Sequence, residues 1–344
     1  MRRGVGAGAS PWVVAFRARA DGFFDDLRVA GMEKPRQFTR DGQANSGMRA
    51  AIVYNRAVPE RHARPRGGGR AEPREITELR LIKERQPDLQ SAVDMQIELI
   101  QLQRRVQARV AMPWFDWSAA TVEAHDASGT PLLRFEDIPI EWTELRLMVR
   151  QTGEILRRHD SLESADFAHV QTLAREADIK TVLEQWYQRT AHAPTTAGAR
   201  DAGDAMLGEV LTLALRPFLA RCADVVQPRV DLSPWTRGYC PLCGDEPDFA
   251  VITPAAERWL ICRRCTLRWR FDSLGCPYCD NRDRTRITSF ATPDGQYRVY
   301  GCDACQRYLK AYDGRNAPRP VMPTVDGVAT LPLDAAAQQR GYTA

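Results

Sequence analysis

The chain has 344 residues, 44% of them hydrophobic, which allows two or three domains with cores of their own and excludes general disorder. No apolar run approaches the ~18 residues of a membrane helix, and residues 11–16, after Arg2 and Arg3, are too few for the apolar core of a secretory signal, about 7–15 residues; the sequence reads as soluble and unexported. The formal charge of +4 is uneven: residues 1–74 hold fourteen Arg and Lys34 against seven acids, a balance of +8, so residues 75–344 carry −4 and polyanion binding by net charge would rest on the first 74 alone.

Residues 1–74 are rich in Gly, Arg and Pro and keep no period, so they are expected to be a disordered basic tail. Met32 and Met48 are candidate true starts if the assigned one lies too far upstream. The densest basic tract, residues 61–74, has no aromatic residue to stack on bases, which favours an inert tail over a nucleic-acid-binding arm. From residue 75 to 236 the periodicity is that of an all-α domain of five or six helices. Helices are predicted over 89–110 with Asp88 as N-cap, and over 143–158, 166–176, 179–190 and 202–226. The last has the strongest apolar pattern, and Pro217 should kink or split it. Trp114, Phe115 and Trp117 read as core packing between the first two helices. Pro228 and Pro234 then close the helical part.

Four Cys-x-x-Cys pairs follow: Cys240/Cys243, Cys262/Cys265, Cys276/Cys279 and Cys302/Cys305, with 18, 10 and 22 residues between successive pairs. A zinc ribbon or rubredoxin-like site takes two such pairs joined by a hairpin of about 15–20 residues. The spacing therefore assigns Cys240, Cys243, Cys262 and Cys265 to one site, in a module over 237–274. Cys276, Cys279, Cys302 and Cys305 form the other, over 275–315, and an interleaved pairing stays open. Residues 316–344 are left as a C-terminal extension with a short helix. β-like segments lie between the paired turns at 249–253 and 258–261, and again at 286–291 and 297–300, with turn residues at 254–257 and 293–295. Gly244 and Asp280 follow the second cysteine of their pairs, where the turn commonly needs a left-handed residue.

Disulfides would need an oxidising compartment, and thioredoxin-like dithiols come singly in a βαβ setting, so metal binding is the reading preferred. Four thiolates fill a tetrahedral shell and leave no open position for hydrolysis, and sulfur coordination alone does not separate zinc from iron. Residues 237–315 hold thirteen basic side chains against ten acids; with −2 for each metallated site the segment falls to about −1. Arg263, Arg264, Arg268 and Arg270 are thus expected to offset thiolate charge rather than present a phosphate-binding face. Cys222, beside Leu219 and Val225, reads as a buried inert thiol. No nucleophile–base arrangement, paired carboxylates or glycine-rich phosphate loop is evident, so no catalytic residue is assigned.

The sequence Tyr239-Cys240-Pro241-Leu242-Cys243-Gly244 with Pro247, the run Arg258 to Cys262, and Cys265 with Trp269 resemble the formate dehydrogenase accessory protein (FdhE) family. The resemblance continues through the Cys276 pair, Cys302 to Cys305 with Tyr308-Leu309-Lys310, Leu333-Asp334 and Gly341-Tyr342. It is close over 239–342 and weaker over 75–230, and residues 1–74 do not match the family's start. It implies a multidomain α plus small β protein, an N-terminal all-α domain followed by two rubredoxin-like or zinc-ribbon modules that bind iron, with zinc the alternative. It further implies a cytoplasmic, non-catalytic assembly factor whose partner is the catalytic subunit of respiratory formate dehydrogenase, with no membrane insertion. The competing class is a zinc-ribbon nucleic-acid-binding or regulatory protein, and a rubredoxin-like electron carrier stands third.

Overall fold

The helical periodicity becomes seven helices in the computed structural model, which describes residues 72–175, 178–190 and 202–344. These are α1 (Arg74–Arg85), α2 (Gln90–Gln107), α3 (Ala119–Ser128), α4 (Trp142–Arg158), α5 (Ser164–Leu173), α6 (Ile179–Thr190) and α7 (Ala202–Val226). The expected tail falls on residues 1–71, outside the described residues, and on the entry to α1, which Arg74 opens. The core logic is plain in α4: Leu145, Met148, Val149, Thr152, Ile155 and Leu156 recur at three- and four-residue steps and are all buried. Each of the large apolar side chains there contributes about 1.5–3 kcal/mol by leaving water. α4 packs against α2, α5 and α7.

Some helix details differ from expectation. Leu89, not Asp88, is the N-cap of α2, because Pro87, Asp88 and Leu89 form a 3-10 turn that leads into it. α7 runs unbroken through Pro217. Leu215, Phe218 and Leu219 on either side are fully buried, and that packing outweighs the one backbone bond that proline forgoes. Phe115 and Trp117 stack at 4.4 Å and lie against the core, as expected, but Trp114 is 80% exposed. α3 was not predicted; Ser118 caps its start by accepting from the Thr121 amide, and Gly129, left-handed, ends it.

The cysteine-rich part supplies β1 (Pro247–Ile252), β2 (Arg258–Cys262), β3 (Arg268–Phe271), β4 (Ile287–Ala291), β5 (Tyr297–Cys302) and β6 (Arg307–Asp313). β1-β2-β3 and β4-β5-β6 are each an antiparallel meander. They join into one six-stranded sheet, order β3-β2-β1-β6-β5-β4, through the parallel pair β1–β6, with Phe249 opposite Lys310 and Ile252 opposite Asp313. The predicted hairpins are present. Ala256 takes a positive φ in the first, and Asp294 and Gly295 close the second, where the Asp294 carboxylate accepts from Thr292 and Gln296. Gln227, just after α7, pairs its side-chain amide with both backbone groups of Arg268 and so covers the β3 edge.

Two short helices, α8 (Pro323–Ala329) and α9 (Leu331–Gln339), stand where one was expected. α8 turns back onto α1 and α2, burying Val325 and Val328, together with Leu331 at the start of α9, against Ile76, Leu79, Leu89 and Val93. α9 lies along β5.

Candidate metal centres

All four Cys-x-x-Cys pairs form the same turn. The amide of the residue after the second cysteine donates to the carbonyl of the first: Gly244 to Cys240 at 2.9 Å, Thr266 to Cys262 at 3.1 Å, Asp280 to Cys276 at 3.0 Å and Gln306 to Cys302 at 2.8 Å. That geometry needs a positive φ, and these four residues have values of 75°, 63°, 55° and 57°. For β-branched Thr266 the conformation costs about 1–2 kcal/mol. The turns also aim backbone amides at sulfur: those of Arg264 and Cys265 lie 3.4 Å from Cys262 Sγ, and Cys276, Cys279 and Cys305 each accept a backbone hydrogen bond as well.

The structure brings Cys240, Cys243, Cys262 and Cys265 together, and separately Cys276, Cys279, Cys302 and Cys305, which decides against interleaving. Within each group the four sulfurs lie within 4.8 Å of one another. Facing pairs are closer: 3.5 Å for Cys240–Cys265 and Cys243–Cys262, and 3.7 Å for Cys276–Cys305 and Cys279–Cys302. A tetrahedron with metal–sulfur bonds of about 2.3 Å has edges of about 3.8 Å, so both groups have the dimensions of a tetrathiolate site. Burial pushes the thiols of Cys240 and Cys265 well up, whereas the hydrogen bond from Cys276 holds Cys305 down at about 5. Four adjacent sulfurs of this kind ionise together only around a cation.

The two groups differ in their surroundings. All four cysteines of the first are buried and belong to the core that also holds Trp186, Leu215 and Phe218 of the helices. In the second, Cys276 and Cys302 are buried, Cys305 is half-buried and Cys279 is exposed. Cys222 is buried as expected, and burial pushes its thiol up to about 12, which keeps it protonated and unreactive.

The sequence pointed to Arg263 and Arg264 beside the first group, but not to the carboxylates and aromatic rings that seat them. Asp245, two residues after Cys243, is buried and lies 3.5 Å from both Arg263 and Arg264. Arg264 is fully buried, with its guanidinium 4.5 Å from the Trp186 ring centre and 5.2 Å from that of Tyr187. Arg263 also reaches Glu209 at 3.7 Å, and Arg270 pairs with Glu257 at 3.4 Å. The two sites are tied by Arg307, which stacks 3.7 Å over Tyr278 and makes a two-pronged bond to Glu246, 2.8 Å at each contact. Tyr278 in turn donates to the carbonyls of Pro247 and Tyr308. The one sequence signal for these roles was the arginine pair between Cys262 and Cys265.

Fold and sites together define a class: a helical N-terminal part followed by a small sheet carrying two four-cysteine clusters. No family model matches the chain. Among curated relatives, the FdhE homolog of Haemophilus ducreyi is 26% identical over 211 residues, 59% of this chain and 63% of that protein. The FdhE homolog of Aquifex aeolicus is 29% identical over 144 residues, 40% and 50% respectively. An FdhE protein of Escherichia coli is 30% identical over 109 residues, 31% and 35%. The matched segments thus span between about a third and just under two thirds of these relatives. The crystal structure of the FdhE protein from Pseudomonas aeruginosa shares the fold, with a TM-score of 0.51 at 18% identity over 78% of this chain and 91% of that one. The resemblance to the FdhE family read from the sequence is borne out.

Proposed function

We propose that this chain is a metal-binding, non-catalytic assembly factor that engages the catalytic subunit of a respiratory formate dehydrogenase in the cytoplasm. The observation that carries the reading is the pair of closed four-cysteine clusters in a chain similar to FdhE proteins. Cys240, Cys243, Cys262 and Cys265 would hold one ion, and Cys276, Cys279, Cys302 and Cys305 the other, iron by preference and zinc as the alternative. Bound there, the ion would cross-link two turns and their hairpin, so that binding free energy becomes folding free energy. Four sulfurs leave no position for substrate. Among the described residues no other group of His, Cys, Asp and Glu is placed to hold a metal, and no helix is long and apolar enough to cross a membrane.

Arg263 and Arg264 are turned toward Asp245 and Glu209, which favours this reading over phosphate binding by a zinc ribbon. The test is an anaerobic pull-down of the tagged protein with metal analysis of the eluate. Two metals per chain and co-purified formate dehydrogenase subunit are expected, red if the metal is iron and colourless if zinc. Membranes of a strain lacking the gene should show no formate-dependent dye reduction, and the Cys302→Ser, Cys305→Ser double mutant should not restore it. Normal dye reduction without the gene, or salt-sensitive recovery of nucleic acid in place of the subunit, would overturn the proposal.

A further inference from the structure

The second cysteine group lacks what protects the first. No helical core surrounds it, and the turn Cys302-Asp303-Ala304-Cys305, which supplies half of its sulfurs, lies at the surface. On one side that turn is held by Arg286, whose carbonyl accepts from the Asp303 amide at 2.9 Å, and by Thr288, whose hydroxyl donates to the Asp303 carboxylate at 3.3 Å. On the other it is held by the far end of the sequence. The Tyr342 hydroxyl donates to the Asp303 carboxylate at 2.5 Å, and the Thr343 amide donates to the Gln306 carbonyl at 2.7 Å. The Thr343 carbonyl accepts from the Tyr308 amide at 3.0 Å, so the segment adds a short parallel bridge beside Arg307. The Tyr342 ring lies flat on Gly301, the residue before Cys302, so closely that a Cβ there would sit 2.6 Å from it. Asp334 of α9 anchors the next strand, accepting from the Tyr308 hydroxyl and the Lys310 ammonium, each at 2.7 Å.

From this geometry we infer that the segment from Asp334 to Thr343 is a clamp on the second metal centre, and that Tyr342 is its principal positioning residue. The inference rests on the metal-binding reading above. Cys302 and Cys305 reach an ion together only while their turn is held in place, and Asp303, between them, is the point where the clamp grips. Groups that orient metal ligands without touching the metal typically change affinity 10–100-fold when removed. Since the first centre is seated in the helical core, the clamp should govern the second alone.

The test uses the full chain loaded with zinc(II), followed by an excess of a coloured chelator. Wild type should hold two zinc ions and release them in two phases. The Cys302→Ser, Cys305→Ser double mutant should keep only the slow phase, which assigns that phase to the first centre. Tyr342→Phe, which keeps the ring and loses the hydroxyl, should speed the fast phase severalfold. Tyr342→Ala should speed it about tenfold or more, and both should leave the slow phase unchanged. A fast phase unaffected in both variants, or both phases quickened alike, would overturn the clamp. Fewer than two zinc ions on the wild-type chain would instead overturn the metal-binding reading, and the clamp with it.

Discussion

Replacing Asp245 by Ala removes the carboxylate that faces two arginines beside the first cysteine group. Its side chain is 5% exposed, Arg264 is 0% exposed and Arg263 is 29% exposed. Removing one partner of a buried pair typically costs 3–5 kcal/mol, because the other charge stays buried without it. Two features place this case at the low end. The Arg264 guanidinium keeps the faces of Trp186 and Tyr187, which are worth about 2 kcal/mol in a desolvated site. Arg263 is exposed enough that its share is screened to below about 1 kcal/mol. The expected loss is therefore about 3 kcal/mol, or roughly 150-fold in the equilibrium that opens the first module. Arg264→Met fills similar volume without charge, and Asp245 would retain Arg263, so a loss of about 1–2 kcal/mol is expected. The double mutant should then be more stable than Asp245→Ala by about 1–2 kcal/mol, since no buried cation is left without its carboxylate. Urea titration of the zinc-loaded protein, followed by far-UV circular dichroism together with chelator-detected zinc, measures each corner of the cycle. A loss below about 1 kcal/mol for Asp245→Ala, or effects that add to within about 0.5 kcal/mol, would refute the assignment of Asp245 as the charge that seats Arg264.

Gly238→Ala should loosen the contact between the two modules, because a Cβ at 238 would run into the Pro277 carbonyl inside the third cysteine turn, where backbone on both sides must move. A lowered urea midpoint and faster zinc loss from both centres are expected, at a cost of about 1–3 kcal/mol or more, and a midpoint equal to wild type would contradict the tight contact. Burial holds the imidazole of His125, which stacks on Trp235 at 4.4 Å, below its ordinary value of 6.5. Folding then favours the neutral ring, so its contribution is fully present above pH 6.5 and is lost as the pH falls through that value toward the lower folded one. Urea midpoints at pH 7.5 and 5.5 should fall further in wild type than in His125→Phe, which keeps the stacking; equal falls would show that the ring does not titrate on unfolding.

The helical part was largely legible because its signal is local. The apolar steps along α4 and α7 survive in the sequence whatever they pack against. What misled there was also local reasoning: Pro217 argues for a break, and only the burial of Phe218 and Leu219 explains why none occurs. The cysteine pairs were legible from spacing, which favoured the observed grouping but left an interleaved one open until the structure brought the sulfurs together. β3 and β6 were not predicted. β3 alternates as Arg268, Trp269, Arg270, Phe271, a strand pattern only four residues long and therefore easy to pass over. β6 pairs locally with β5 across the last cysteine turn and with β1 in parallel, and the second contact, across some sixty positions, is one that no local pattern announces. Two of the four left-handed positions were legible as Gly244 and Asp280; Thr266 and Gln306 were not, because there the turn imposes a conformation that the residue type does not favour. Asp334 and Tyr342 were visible as parts of a resemblance, but their work on the second cysteine group is visible only in three dimensions.

A duplicated plan would give two equivalent sites if each module packed in the same way, and the parallel seam prevents that. Joining the first strand of one meander to the last strand of the other makes the sheet continuous and leaves β3 and β4 as its two edges. The β3 edge falls beside the end of α7, where Gln227 covers it and Trp269 enters the helical core. The β4 edge falls beside α9, where the packing is a smaller cluster of Phe290, Val299, Tyr308, Ala337 and Tyr342. The same four turns, with the same backbone bonds and the same sulfur geometry, thus produce one centre inside the core and one at the rim. The difference lies in what each meander meets, Trp186 and Phe218 on one side and Asp334 and Tyr342 on the other. A metal held at each group would therefore be retained differently, although each group offers the same set of four cysteine sulfurs.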